Sequence, residues 1–156
     1  MRVLVCLVVA LAAAACSTKY QDMGFAGGVA AQQMTANTFR IVARGNGYTS
    51  STTVQDYMVL KAAETTKQVG GTHFLIISAD DASRTNYVAT PGRAQTTLVG
   101  NTAYTSYTPG SVYGIFKPGQ DAFIRVLAVP NGSTPPPGAI SADEIIQFVG
   151  ARVSRG

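Results

Sequence analysis

This chain is short of the residues that most enzyme chemistry requires. Its 156 residues include one histidine, two cysteines and no tryptophan, and only 13% of them are charged. A zinc site usually takes three or four ligands from histidine, cysteine and carboxylates, and a serine or cysteine nucleophile needs a neighbouring base. We therefore expect no catalytic residues, no metal site and no cofactor.

Positive charge is present, but it is scattered. The formal net charge is +4 at pH 7, and no three basic residues stand together. Proteins that bind nucleic acid usually concentrate lysine and arginine on one helix or one face. We therefore expect no nucleic-acid partner.

The individual candidates for chemistry have simpler interpretations. His73, the only histidine, stands at the start of an apolar run, where a packed or edge histidine is common. Asp80 and Asp81 could bind a hard cation, but no calcium-loop spacing follows them. Three plausible hydroxyls lack a nucleophile-elbow sequence, namely those of Ser50, Ser51 and Ser106.

The N-terminal residues 1–15 are typical of an export signal. Arg2 is followed by an apolar run from Val3 to Ala15 and then by Cys16. A basic start, a short apolar stretch and small residues make up a signal peptide, and a membrane-spanning helix would need about 20 apolar residues. We predict that residues 1–15 are removed, which takes away Cys6 and leaves Cys16 as the one cysteine of the mature chain.

The residues around Cys16 resemble a bacterial lipoprotein signal, in which a peptidase cuts before a cysteine that carries a diacylglyceryl group. That signal usually has a leucine three residues before the cysteine, whereas this chain has Ala13 there and Leu11 two residues earlier. The alternative is an ordinary secretory signal, which would leave Cys16 as a thiol near the terminus. The resemblance implies lipidation of Cys16, and Ser17 after it implies sorting to the outer membrane, facing the periplasm. Two or three acyl chains would make the attachment effectively permanent.

Three regions are expected after the signal. Residues 16–37 are glycine-rich and polar with little periodicity, which predicts a lipidated, flexible tether. A single globular domain is expected over 38–156, because this length suits one core. Within it, residues 80–120 are rich in Thr, Tyr, Gly and Ser, so we expect a long hairpin or a partly mobile insertion there.

Hydrophobic patterning predicts three strands and two helices in the domain. Alternation over 38–44 indicates a half-buried strand, and an almost continuous apolar run over 72–79 indicates a strand buried on both faces. A third strand is predicted over 122–129. Helices are predicted over 53–69, after a capping box, and over 141–150, after a serine cap.

Strand, helix and strand in succession make a βαβ or split βαβ unit. The predicted fold class is therefore α+β: a small βαβ-containing sheet domain with a Thr/Tyr/Gly-rich insertion and a short C-terminal helix. We expect a carboxylate in place of Ile76 to destabilise the domain strongly, because its charge would be buried without a partner. The expected core consists of Phe39, Ile41, Met58, Phe74, Ile76, Ile124 and Val126.

Several segments together resemble one known family. They are Phe39-Arg40, the run Arg44-Gly45-Asn46-Gly47-Tyr48-Thr49, Asp56-Tyr57 and the run Lys61-Ala62-Ala63-Glu64-Thr65-Thr66. They are similar to small alphaproteobacterial lipoproteins of uncharacterised function, which share a lipobox, an FR…RGNGYT segment and an AAE helix. The resemblance covers Cys16 to about Ser78 well. It implies an envelope location and a βαβ core, and it carries over no catalytic residues.

Two groups of residues are candidates for binding. Arg40 and Arg44 share a strand face, and Arg125 could join them if the strands pair in suitable register. Such a patch could contact anionic headgroups, cell-wall carboxylates or an acidic partner; the alternative is a solvated sheet face. Tyr104 and Tyr107 could be interface residues or simply good strand residues.

Binding rather than catalysis is the function that these features favour. We expect a membrane-anchored envelope lipoprotein that acts as a non-catalytic binding or structural module in the periplasm. Its partners would be the membrane, through the lipid anchor, and an envelope protein or a cell-wall component. The alternative is a periplasmic enzyme that acts on a cell-wall or lipid component.

Overall fold

The computed structural model describes residues 16–156, which divide into two compact units. The first unit contains the chain up to Arg84 together with Lys117–Gly156, and the second unit is Thr85–Phe116. The predicted signal peptide, residues 1–15, lies outside the described residues. The described elements follow one another along the chain as β1 (Gly28–Gln33), β2 (Thr38–Arg44), α1 (Ser51–Gln68), β3 (His73–Asp81), β4 (Arg84–Ala89), β5 (Arg93–Val99), β6 (Thr102–Thr108), β7 (Val112–Lys117), β8 (Gly119–Leu127), β9 (Ile140–Ser141) and α2 (Ala142–Phe148).

The first unit is a five-stranded sheet in the order β1-β2-β8-β3-β9, and all of its pairings are antiparallel. Because β8 lies between β2 and β3, these two strands run parallel to each other and are joined by α1. This is the split form of the βαβ unit, and the predicted α+β class is confirmed. Each of the five predicted elements is present within a few residues of its predicted bounds.

Helix α1 packs on the sheet against β1, β2, β3 and β8. It begins after Ser50, whose side chain accepts a hydrogen bond from the Thr53 N–H at 3.1 Å, in the usual manner of an N-cap. It ends before Gly70, whose φ of +80° favours glycine. The helix contributes Val54 and Leu60 to the core, and both are at most 1% exposed.

Six of the seven predicted core residues are buried, and the seventh, Ile76, is not. Ile76 is 36% exposed, and only Phe74 of β3 is fully buried. The prediction of a strand buried on both faces is therefore wrong. Helix α1 covers one face of β3 at its N-terminal end, and from Ile76 onward the strand is exposed. Because Ile76 is partly exposed, a carboxylate at this position is no longer expected to destabilise the domain strongly.

The predicted tether over residues 16–37 is also wrong for much of its length. Strand β1 pairs with β2 along Gly28–Gln33, and the side chains of Thr18, Tyr20 and Val29 are buried. The glycines that suggest flexibility have a different use. Gly27 has a φ of +103°, and a Cβ there would clash with the backbone of Arg44, so glycine allows the N-terminal segment to lie against the sheet.

The second unit, Thr85–Phe116, is a two-stranded antiparallel hairpin that we call the ribbon. Strands β5 and β6 pair around the Gly100–Asn101 turn, and β4 pairs with β7. Between these pairs, the Thr90 N–H donates to the Ser111 carbonyl at 2.8 Å. The hairpin expected within 80–120 is therefore present. Every residue of the ribbon is exposed.

Candidate functional site

The two arginines of β2 meet a carboxylate on the neighbouring strand. Asp121 of β8 pairs in register with Val42, which places it between Arg40 and Arg44. Arg40 Nη2 lies 2.6 Å from Asp121 Oδ2, and Arg44 Nη1 lies 2.5 Å from Asp121 Oδ1. The basic patch expected from the sequence is therefore partly neutralised from within the sheet.

Arg125 lies on the same face of the sheet, as the sequence allowed. It pairs with Thr38, one diagonal step from Arg40, which corresponds to about 7–8 Å between backbones. Its side chain is exposed, and within residues 16–156 it contacts no carboxylate. Of the three arginines, Arg125 is the one without a carboxylate partner in the described chain, while Arg40 and Arg44 share Asp121.

Opposing influences act on the pKa of Asp121. Burial on its own would raise the pKa, but hydrogen bonds and charges from Arg44 and Arg40 outweigh burial and lower the pKa from its ordinary value. A carboxylate with a lowered folded-state pKa stabilises the fold above its unfolded pKa of about 3.9. That contribution disappears as the pH falls through the folded-state pKa.

We expect Asp121→Asn to lower the free energy of unfolding at pH 7 by about 2 kcal/mol, because two partly buried arginines lose their partner. The variant should also lose part of the acid sensitivity of the natural protein between pH 5 and 2, as linkage requires. Urea unfolding across this pH range measures both effects. Asp143→Asn is the matched control, because that carboxylate is 70% exposed and pairs only with Lys67. Equal losses in the two variants would contradict the role of Asp121.

Tyr104 and Tyr107 lie on opposite faces of the ribbon. Tyr104 pairs with Thr97, and Tyr107 pairs with Ala94; since side chains alternate along a strand, residues three apart point to opposite sides. Their exposed fractions are 62% and 69%. Tyr104 and Tyr107 therefore do not form one surface, because each points to a different face of the ribbon.

The ribbon exposes many apolar side chains and almost no charge. Arg93 is its one charged residue. Both backbone edges of each strand pair are unpaired within the described chain, and such edges readily accept another strand. The exposed large apolar residues are Tyr87, Val88, Leu98, Val99, Tyr104, Tyr107, Val112, Tyr113, Ile115 and Phe116.

Cys16, the predicted lipidation site, is exposed and held close to the fold. Its carbonyl accepts a hydrogen bond from Asn46 Nδ2 at 2.8 Å. Two residues later, the Thr18 N–H donates to Thr49 Oγ1 at 2.9 Å, and Thr18 is 3% exposed. The turn between β2 and α1 therefore fixes the start of the described chain.

A cleft of about 220 Å³ opens beside this turn. It is lined by the loop residues 23–27 and by Arg44, Arg84 and Lys117, among others, and no carboxylate lines it. Neither Arg84 nor Lys117 contacts a carboxylate in the part of the chain that the structure describes. Sequence reasoning missed this cleft, because the two cations that lack a carboxylate partner, Arg84 and Lys117, lie near opposite ends of the predicted insertion.

A separate polar cluster braces the N-terminal segment against α1. The Tyr20 hydroxyl donates to Glu64, Arg155 Nη2 donates to the same carboxylate at 2.9 Å, and the Tyr57 hydroxyl donates to the Thr18 carbonyl at 2.7 Å. Burial, followed by the bond to Glu64, raises the pKa of Tyr20 far above its ordinary value. Tyr20 therefore remains a neutral donor, and the cluster is structural.

The remaining candidates do not assemble into a chemical site. His73 Nδ1 lies 3.0 Å from Thr72 Oγ1 at the start of β3. Across residues 16–156, no three side chains of His, Cys, Asp or Glu come together as metal ligands. In the same range, no helix has both the length and the apolar character needed to cross a membrane.

Comparisons with known proteins give no match to a family model, a curated protein or a solved structure. The function is therefore argued from the surfaces of this molecule.

Proposed function

We propose that this protein is a lipid-anchored module of the bacterial envelope that binds an envelope protein through the ribbon and has no catalytic role. The observation that carries the proposal is that every residue of Thr85–Phe116 is exposed. Apolar area removed from water contributes about 25 cal/mol per Å². A partner that covers the ribbon would gain from nearly every apolar side chain in it.

The backbone of the ribbon favours a protein partner over a cell-wall component. A two-stranded hairpin is marginally stable alone, and natural sheets usually protect their edges with charges or prolines. Strands β5 and β6 carry only Arg93 and contain no proline. An open edge of this kind suits strand addition, in which main-chain hydrogen bonds supply affinity and alternate side chains supply specificity.

The anchor is the second part of the proposal. The leader that precedes Cys16 resembles a lipoprotein signal, and Cys16 itself is an exposed residue at the start of the described chain. With an acyl chain there, we place the protein at the outer membrane, facing the periplasm, where it would act as a binding or structural module.

The positions of the candidate nucleophiles favour binding over the alternative, a periplasmic enzyme. Ser50 caps α1, and its hydroxyl bonds to Thr53, whereas His73 Nδ1 has Thr72 Oγ1 as its hydrogen-bond partner. A nucleophile and its base must lie within hydrogen-bond reach of each other.

We expect replacement of Thr85–Phe116 by Asn-Gly to abolish partner capture and to leave the first unit folded. Asn-Gly favours a two-residue hairpin turn, and the strand ends are already adjacent, since the Ala82 N–H donates to the Gly119 carbonyl at 3.0 Å. Photo-crosslinking in cells from position 104 or 107 of the natural chain should yield one discrete protein adduct. Position 48 is the matched control, because Tyr48 is an exposed tyrosine as well, at 76%, but lies in the first unit.

Equal crosslinking from positions 48 and 104 would contradict binding through the ribbon, and adducts to cell-wall material would identify the other class of partner. Mass spectrometry of the N-terminal peptide tests the anchor independently. An unmodified Cys16 would overturn the lipidation proposal whatever the ribbon binds.

A further inference from the structure

We propose that the cleft beside Cys16 is a membrane-contact site, where Arg84 and Lys117 bind the phosphate of an anionic phospholipid headgroup and Phe25 enters the interface. The proposal rests on the proposed acylation of Cys16 for the orientation of the protein. The proposed role of the ribbon and this site involve different residues.

The first argument is that Cys16 lies directly against the fold, with no flexible linker between them. Cys16 is hydrogen-bonded to Asn46, which itself lines the cleft, and Thr18 is buried. A residue of extended chain spans at most about 3.6 Å. An acyl chain on Cys16 therefore enters the bilayer close to the cleft, which turns this face of the protein toward the headgroups.

The second argument is charge. Arg84 and Lys117 line the cleft without a carboxylate partner in the described chain, and no acidic residue is among the lining residues. Asp22, next to the loop at the rim, is exposed and lies 3.7 Å from Lys61. Asp121 binds Arg40 and Arg44, and Asp81 accepts from the Ser83 N–H at 2.8 Å. Lysine and arginine are the usual partners of phosphate groups. At about 220 Å³, the cleft is smaller than typical small-molecule pockets of about 300–1,000 Å³, which suits a headgroup fragment.

The third argument is the loop at the rim of the cleft. Gly24 and Gly27 exchange both backbone hydrogen bonds, at 3.0 and 3.1 Å, so that Phe25 stands at the tip of a tight turn. Phe25 is fully exposed, and Met23 beside it is 38% exposed. Apolar and aromatic residues next to basic ones are the pattern of surfaces that lie in a membrane interface.

The test uses the lack of tryptophan in this chain. Phe25→Trp introduces a unique fluorophore at the rim of the cleft. The acylated full-length product, purified from membranes, is reconstituted into vesicles of phosphatidylcholine alone or of phosphatidylcholine with phosphatidylglycerol. We expect the F25W indole to be blue-shifted, quenched by brominated lipid and protected from acrylamide only in the anionic vesicles, and added salt should reduce this protection.

The charge-reversal variant R84E/K117E should remove the protection in anionic vesicles. Because each basic residue near an anionic surface strengthens binding about five-fold, loss of both should reduce the ratio of docked to undocked protein by about 20-fold or more. R93E/R125E is the matched control, because it makes the same charge change at two exposed arginines that do not line the cleft.

Protection that persists in R84E/K117E, that is lost equally in R93E/R125E, or that is the same in phosphatidylcholine alone would overturn the site. Release of the F25W indole by low concentrations of inorganic phosphate would also overturn it and would identify a soluble ligand instead. If Cys16 proves to be unacylated, the anchor proposal fails, and the same variants added to preformed vesicles still decide whether the cleft binds anionic lipid.

Discussion

Phe74→Ala should lower the free energy of unfolding by about 3–5 kcal/mol, the usual range for a large side chain removed from a packed core. Phe74 is completely buried between α1 and the sheet, where it pairs with Val126 of β8. Ile76→Ala, two residues along the same strand, should cost about 1 kcal/mol or less, because partly exposed positions lose little packing. Urea unfolding followed by circular dichroism measures both losses.

The pair of variants contains its own control. An unchanged denaturant slope would show that stability rather than compactness has changed. Ile76→Asp should also leave the protein folded, since the carboxylate at a partly exposed position stays hydrated. A loss at position 76 as large as the loss at position 74 would mean that the C-terminal half of β3 is covered after all.

Gly28→Ala should lower the free energy of unfolding by about 2–4 kcal/mol, because it combines backbone strain of about 1–3 kcal/mol with a clash against backbone atoms. Gly28 has a φ of +132°, and a Cβ there would lie 2.5 Å from the Asp22 carbonyl oxygen and 2.7 Å from that of Gln21. The adjoining Val29 N–H donates to the Gln21 carbonyl at 2.9 Å, so the two segments cannot separate without losing this bond.

Gly132→Ala separates the two parts of the effect. Gly132 also has a positive φ, of +82°, but a Cβ there would meet nothing within 4 Å. Gly132→Ala should therefore lower the free energy of unfolding by only about 1–2 kcal/mol, from the left-handed backbone conformation alone. The same unfolding measurement compares the two variants. If Gly28→Ala were as mild as Gly132→Ala, the N-terminal segment would be loosely held, as a tether would be.

The parts of the fold that follow a regular pattern were predictable. Strand β2 alternates strictly, with Phe39 and Ile41 buried and Arg40 on the other face, and this alternation is visible in the sequence. The apolar run in β3 does not say how many faces of the strand are covered. Glycine composition cannot separate a flexible segment from one that needs glycine for close packing, which is why the prediction of a tether is wrong for the N-terminal segment.

The candidate sites were harder to predict, because their residues come together only through strand register. Arg40 and Arg44 were visible as a pair, but the register of β8 decides that Asp121 stands between them. The cleft joins a loop near Phe25 to residues on either side of the ribbon, Arg84 and Lys117. No local pattern connects such distant positions, so spacing along the chain could not reveal them.

The nested pairing of the hairpin also affects how the chain can fold. Strands β3 and β8 of the sheet and strands β5 and β6 of the ribbon share one turn, Gly100–Asn101, as the midpoint of their register. Examples are Asp81↔Gln120 in the sheet and Arg93↔Thr108 in the ribbon. Hairpins form in about 1–10 μs, and closing an open loop loses more entropy as the loop lengthens. A chain that closes this turn first can then form the cross-strand pairs in succession, from the turn outward to the sheet. Strand β8 thus pairs with β3 through a series of short loop closures. The segment that contributes no buried side chain would then guide the assembly of the two strands at the centre of the core.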